Sequence, residues 1–151
     1  MIESAIKILK GEKIIDQSDI DIDIGIYGFI PEEIIPQAEL RLSIYKEISS
    51  IKENKNLEQN KKDFIDRFGD MTSEINNLYE LSKLKNIARK LNILGIKYRD
   101  ENFSLKLADD SRLISPSSEI REIKISAKDI KSDRLTFIMS KLESFLDKNE
   151  I

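Results

Sequence analysis

The residues with the most suggestive spacing are Asp19, Asp21 and Asp23, at the alternate positions that supply the first oxygen ligands of a calcium-binding loop. Such a loop also needs glycine at its sixth position and a bidentate glutamate at its twelfth, and here those positions hold Ile24 and Ile30. The interleaved Ile20, Ile22 and Ile24 describe an extended chain, whereas a hard cation needs a looped one, so these aspartates are expected to face solvent on a strand. Ser-x-x-Lys, the spacing by which a lysine can activate a serine for acyl transfer, occurs at Ser4/Lys7, Ser43/Lys46, Ser49/Lys52 and Ser82/Lys85. Its recurrence in a chain rich in both residues, without a Lys-Thr-Gly partner, marks coincidence. Asp109 and Asp110 pair two acids, but beside Ser111 and Arg112 they have the composition of a hydrated turn.

Other chemistries are excluded by residue type. The chain has no Cys and no His, which removes disulfides, thiolate metal sites and the commonest base at neutral pH. Its five glycines are scattered singly, so no loop can wrap a pyrophosphate. No catalytic, cofactor-binding or metal-ligating set is therefore assigned, and the chain is expected to be non-catalytic. Lys83, Lys85, Arg89 and Lys90 are candidates for phosphate contact. Against that, Glu74 and Glu80 share their segment, no aromatic residue interleaves with them for base stacking, and the net charge is −3. The absence of a long apolar run or a basic-then-apolar leader points to the cytoplasm rather than a membrane.

The elements that must carry these residues follow from periodicity. At 151 residues, 40% apolar and 35% charged, the chain suits one soluble domain. Ile2, Ile6 and Leu9 share a helical face without a capping residue before them. This suggests a truncated helix and linker over residues 1–18, a fragment of a longer polypeptide, with the domain proper at 19–151. Asp19 to Ile26 alternates as a half-buried strand. Leu40, Ile44, Ile48 and Ile51 predict a helix; Leu57, Phe64, Ile65 and Phe68 predict a second, ending at Gly69. Ile75, Leu78, Leu81, Leu84, Ala88 and Leu91 predict a third. Leu94-Ile96-Tyr98 and Phe103-Leu105-Leu107 predict a hairpin with a three- to five-residue connection at Asp100-Glu101-Asn102, and Ile120 to Ser126 a further strand. A closing helix begins after Ser132-Asp133 and carries Leu135, Ile138, Met139, Leu142, Phe145 and Leu146. A helical middle, a small mainly antiparallel sheet and a C-terminal helix make the expected class α+β.

The order of motifs carries more than any one of them. Ile20-Asp21-Ile22-Asp23-Ile24, Phe29-Ile30-Pro31-Glu32-Glu33-Ile34-Ile35-Pro36, Leu40-Arg41-Leu42-Ser43-Ile44-Tyr45-Lys46, Phe64-Ile65-Asp66-Arg67-Phe68-Gly69 and Leu81 to Ile93 follow one another in series. The series resembles the C-terminal domain of bacterial transcription-repair coupling factors, over about Ala5 to Ile93.

That resemblance implies a regulatory domain of an ATP-dependent DNA translocase that acts on stalled RNA polymerase. It further implies autoinhibition: the domain docks on the N-terminal repair module of the same protein and masks the surface that binds the excision-repair protein UvrA. Polymerase and UvrA are then indirect partners, and DNA is met through other domains. The family pattern places acidic residues facing a basic partner at Asp63 and Asp66, with Arg67 beside them; a longer Glu is common at the position of Asp63, and the alternative for Asp66 and Arg67 is a structural role, with Arg67 paired to a neighbouring acid inside the domain. One helical turn apart, the two carboxylates can share a face, with Phe64, Ile65 and Phe68 expected to turn to the core. The alternative is an accessory module that contacts DNA or RNA polymerase through the Lys83 to Lys90 helix.

Overall fold

The computed structural model describes residues 20–69, 71–111, 113, 114, 117, 119–128, 130 and 132–149. The helix expected around Ile2 to Leu9, the linker after it, and Asp19 lie outside the described residues. Alternation begins at Ile20 and persists to Ile30: Ile20, Ile24 and Ile30 are buried, Ile22, Ile26 and Gly28 half-buried, and the odd-numbered residues between them exposed. Only Asp21–Asp23 of this stretch is a strand, β1. It is shorter than the expected Asp19 to Ile26 because the chain turns away at Gly25, whose φ of 75° an L side chain rarely adopts.

Helices α1 (Ala38–Ser50), α2 (Asn54–Phe68) and α3 (Ser73–Lys90) follow. Strands β2 (Ile93–Arg99), β3 (Asn102–Leu107) and β4 (Glu122–Ser126) and helix α4 (Arg134–Asn149) complete the chain. The four strands form one sheet in sequence order. β1 runs parallel to β2, with Ile22 opposite Ile96, and the three-helix connection supplies the crossover that parallel strands require. The β2–β3 and β3–β4 pairs are antiparallel. Among the described residues the class is α+β, a helical middle and a mixed, mainly antiparallel sheet closed by a C-terminal helix, as expected.

Local chemistry explains the boundaries. The Thr72 hydroxyl accepts a hydrogen bond from the Ile75 N–H at 3.2 Å, capping α3, and the Asp133 carboxylate accepts one from the Thr136 N–H at 2.7 Å at the start of α4. At the far end of α3, Asn92 takes a φ of 55°, and its backbone carbonyl accepts from the Ala108 N–H at 2.9 Å. The hairpin is tighter than its expected three- to five-residue connection. Arg99 pairs directly with Asn102, leaving Asp100 and Glu101 as a two-residue turn with φ of 52° and 63°. Positive φ at both central residues gives the backbone the twist of the flanking strands, and Asp and Glu adopt it here without glycine.

Two cores flank α3. On one side Leu84, Ile87, Ala88 and Leu91 pack with Ile96, Phe103, Leu105 and, from α4, Ile138 and Leu142. On the other side Ile75 and Tyr79 pack with Ile44, Ile48, Leu57 and Phe64 of α1 and α2. At about 100° per residue these two sets fall on roughly opposite faces of the helix. Asn86 belongs to the second face. Although 4% exposed, it donates to the Ile51 carbonyl (3.1 Å) and to Asn54 Oδ1 (3.0 Å), pinning the α1–α2 connection to α3.

The Phe29 to Pro36 segment is held against this frame. The Ile30 N–H donates to the Tyr45 hydroxyl at 2.7 Å, and Arg41 donates to the carbonyls of Ile35 (2.7 Å) and Pro36 (3.0 Å). The Phe29 N–H donates to the Glu74 carbonyl at 3.1 Å in the first turn of α3. Gly28 allows that approach: a Cβ there would stand 2.3 Å from the Leu78 nitrogen and 2.4 Å from its Cα. Backbone cannot yield as a side-chain tip can. Gly28→Ala is expected to destabilise the domain by about 1–3 kcal/mol, read as a lower urea midpoint at unchanged slope.

Candidate docking surface on the second helix

Helix α2 is an outer element whose inward stripe is Leu57, Phe64 and Phe68. The Phe64 ring meets Phe68 at 4.8 Å and Tyr79 of α3, edge-on, at 6.3 Å. Tyr79 is fully buried, and its hydroxyl donates to Asn60 Oδ1 at 2.6 Å, a second tie between the two helices. With this stripe fixed, the 100° step places Asp66 and Gln59 on the outward face and Asp63 beside them. Asp63, Asp66 and Arg67 are all exposed.

The structure brings Asp63 and Asp66 to one outward face, as the sequence suggested. Asp63 accepts a hydrogen bond from Gln59 Nε2 at 3.1 Å. Among the described residues neither carboxylate forms an ion pair, so both are available to an external cation. Among the described residues Arg67 pairs with no acid; its guanidinium lies over the Phe68 ring, 4.8 Å from the centroid. Ile65 departs from expectation. It is 39% exposed rather than turned to the core, because Phe64 and Phe68 already define the buried stripe and Ile65 stands about a quarter-turn from it. The surface is thus two exposed carboxylates with an exposed aliphatic group flanking Asp66, a feature that the shared apolar character of positions 64, 65 and 68 conceals.

The basic end of α3 is not a bare cationic surface. Lys83 is ion-paired with Glu58 of α2 and, at 3.4 Å, with Glu80. Lys61 reaches Glu80 at 3.8 Å, Lys90 meets Glu53 at 3.4 Å, and Arg89 donates to Asn86 Oδ1 at 2.8 Å. Burial lowers the Lys83 pKa below its ordinary value, against the opposing influence of Glu143. Lys61, Lys83 and Lys90 thereby join α2 and the connection before it to α3. Asp21 and Asp23 are exposed on an extended strand, and no cluster among the described residues could hold a metal ion. Ser82 Oγ donates to the Leu78 carbonyl at 2.8 Å and Ser49 Oγ to the Lys46 carbonyl at 3.0 Å, while Ser4 and Lys7 lie outside the described residues. Asp109 accepts from Arg121 Nε at 2.8 Å. Ser111, to which sequence alone assigned nothing, is buried and donates to the Leu91 carbonyl at 2.7 Å, satisfying the end of α3. No helix among the described residues is long and apolar enough to cross a membrane.

Comparison with known proteins adds that residues 24–117, well over half of the chain, match the family model of the TRCF domain. The chain belongs to the TRCF domain family. The transcription-repair-coupling factor of Rickettsia conorii is 30% identical over 153 residues, spanning the whole chain but 13% of that relative. The factor of Escherichia coli is 26% identical over 118 residues, 75% of the chain and 10% of the relative. A crystal structure of the C-terminal domain of transcription-repair coupling factor superposes with a TM-score of 0.70 at 17% identity, covering 87% of this chain and 96% of that one. The TRCF domain fold is therefore shared well beyond the level of sequence. The family match also reaches past Ile93, through the β2–β3 hairpin, where the motif series of the sequence stops.

The TRCF domain's α2–α3 contact has a pH signature. Burial first, then the charges of Glu47 and Asp63, push the Tyr79 phenol up from its ordinary value of 10.0. A raised folded-state pKa means that this contribution to stability is full below pH 10.0 and is lost as the pH rises towards the folded value. Tyr79→Phe is expected to cost about 1 kcal/mol at neutral pH, through the lost bond to Asn60. It should also flatten the fall in stability above pH 10.0, measured by urea titrations across the alkaline range.

Proposed function

We propose that this TRCF domain is a non-catalytic, autoinhibitory C-terminal domain of a transcription-repair coupling factor. In this reading it docks on the N-terminal repair module of the same protein through Asp63 and Asp66, with Arg67 at the margin, and so masks the UvrA-binding surface until the protein engages RNA polymerase. The observation that carries the reading is the pair of exposed, unpaired carboxylates one turn apart on α2. Charge-assisted hydrogen bonds from Arg groups to such carboxylates are directional and stronger than neutral ones. The exposed Ile65 supplies an apolar contact beside them. A small, partly polar interface of this kind suits a latch that must open during a working cycle.

The rival reading is an accessory module that contacts DNA or polymerase through Lys83 to Lys90. The engagement of Lys83, Lys90 and Arg89 by groups of the domain itself weighs against it, because a phosphate would have to displace Glu58, Glu80 and Glu53. The shift to a latch also fits a net charge of −3, which provides no long-range attraction for nucleic acid.

Replacing Asp63 and Asp66 together with Lys, in the full-length factor, is expected to raise UvrA binding by about tenfold, since opposed like charges cost a docked interface a kcal/mol or more. Pull-down titrations would measure this, with circular dichroism confirming that the variant is folded. Unchanged UvrA binding by a folded variant would sink the latch. DNA binding by this chain that falls steeply with salt in a mobility-shift titration would favour the accessory module instead.

A further inference from the structure

Helices α3 and α4 diverge from the Ile26 segment to leave an open groove of about 590 Å³, on residues distinct from the Asp63 and Asp66 face. Its apolar part is Ile26, Leu135 and Met139; its acids are Glu80, Asp133 and Glu143, and none of its described lining residues is basic. The neighbouring cations are committed elsewhere. Arg134 donates to the Ile24 carbonyl at 3.1 Å and lies 4.1 Å from the centroid of the Tyr98 ring. Lys83 is held by Glu58 and Glu80. Glu143 is exposed, forms no hydrogen bond or ion pair among the described residues, and acts on Lys83 through its charge alone.

Next in the chain to the lining residue Ile26 is Tyr27, 73% exposed, followed two residues on by Phe29, 47% exposed. They are displayed by a fixed backbone. Asn77, which lines the groove, donates from Nδ2 to the Tyr27 carbonyl at 3.2 Å, and Gly28 is packed against the Leu78 backbone. The alternation that turns Ile26 and Ile30 inward turns both rings outward, so their exposure follows from the register of the segment. Aromatic anchors presented without loss of backbone entropy beside a pocket are the usual source of binding energy at protein interfaces.

We propose that this groove is a second docking site, for an extended basic peptide segment of a partner protein. One Arg or Lys of the segment sits against Glu143 and Asp133, an adjacent aliphatic side chain covers Leu135 and Met139, and the segment continues past Ile26 to the exposed Tyr27. The volume suits a few side chains rather than a folded surface. The acidic lining repels phosphate, which disfavours nucleotides and nucleic acid, and the flexible thioether of Met139 accommodates different aliphatic partners.

The test is nuclear magnetic resonance titration of the 151-residue chain with two capped peptides, one alternating Arg and Leu and one alternating Gln and Leu. The Arg peptide is expected to shift the amides of Ile26, Asn77, Thr136 and Met139 in a salt-sensitive manner, and the Gln peptide to bind about tenfold more weakly. Combining Glu143→Gln with Tyr27→Ala, both at exposed positions, should weaken the Arg peptide by a similar factor while the remaining spectrum stays dispersed. Equal binding of the two peptides, undiminished binding by the double variant, or shifts spread equally over the Asp63 and Asp66 face would overturn the proposal. Concentration-dependent self-association through the same amides would do so as well, by assigning the groove to a second copy. The latch is tested through other residues, so a failure here leaves it standing.

Discussion

Everything in this domain depends on α3 being buried from two sides. A helix with one apolar stripe can lie on a sheet or on a helical hairpin, but it cannot join them into one body. α3 does so by presenting Ile75 and Tyr79 to α1 and α2 and Leu84, Ile87, Ala88 and Leu91 to the sheet and α4. Its polar residues follow the same logic. Asn86, on the helical side, is buried with its amide donating to Ile51 and Asn54, so a group that would be costly to bury unpaired instead specifies where the α1–α2 connection sits.

The placement of the other elements is a consequence. With both faces of α3 occupied, α1 and α2 become an outer layer on one side and the sheet with α4 an outer layer on the other. An outer helix has an inward stripe that must be apolar and an outward face free to serve another purpose. On α2 the inward stripe is Leu57, Phe64 and Phe68, and the outward face holds Asp63 and Asp66. The same geometry draws Lys61, Lys83 and Lys90 into pairs with Glu80, Glu58 and Glu53, where they tie neighbouring elements together. Proximity to a core, more than charge count, decides which ions are spent internally and which remain for a partner.

The segment between β1 and α1 shows how a run of motif residues acts as a clamp. Tyr45 and Arg41 reach back from α1 to the backbone of residues 30, 35 and 36, and Gly28 lets the chain lie directly against α3. The spacing between the Pro-rich segment and the Leu-Arg-Leu-Ser-Ile-Tyr run is thus a distance constraint. That clamp also holds Tyr27 and Phe29 outward in a register they could not maintain on a free loop.

Sequence by itself determined the class, the order of helices and strands, the start of the closing helix after Asp133, and the shared face of Asp63 and Asp66. All of these follow from local periodicity and capping chemistry, which act within a few residues. The ordered motifs also carried the family, since each preserves a local shape. Only the tertiary structure decided the parallel pairing of β1 with β2 and the tight turn at Asp100 and Glu101, because pairing and register are settled between segments far apart in the chain. It alone separated the two faces of α3, which a list of apolar positions merges into one stripe, and exposed Ile65 while burying Phe64 and Phe68. Ionisation and clefts belong to the same class. The burial of Lys83 between acids of two helices, and the groove between α3 and α4, exist only where surfaces from separate elements meet, and no single segment encodes either one.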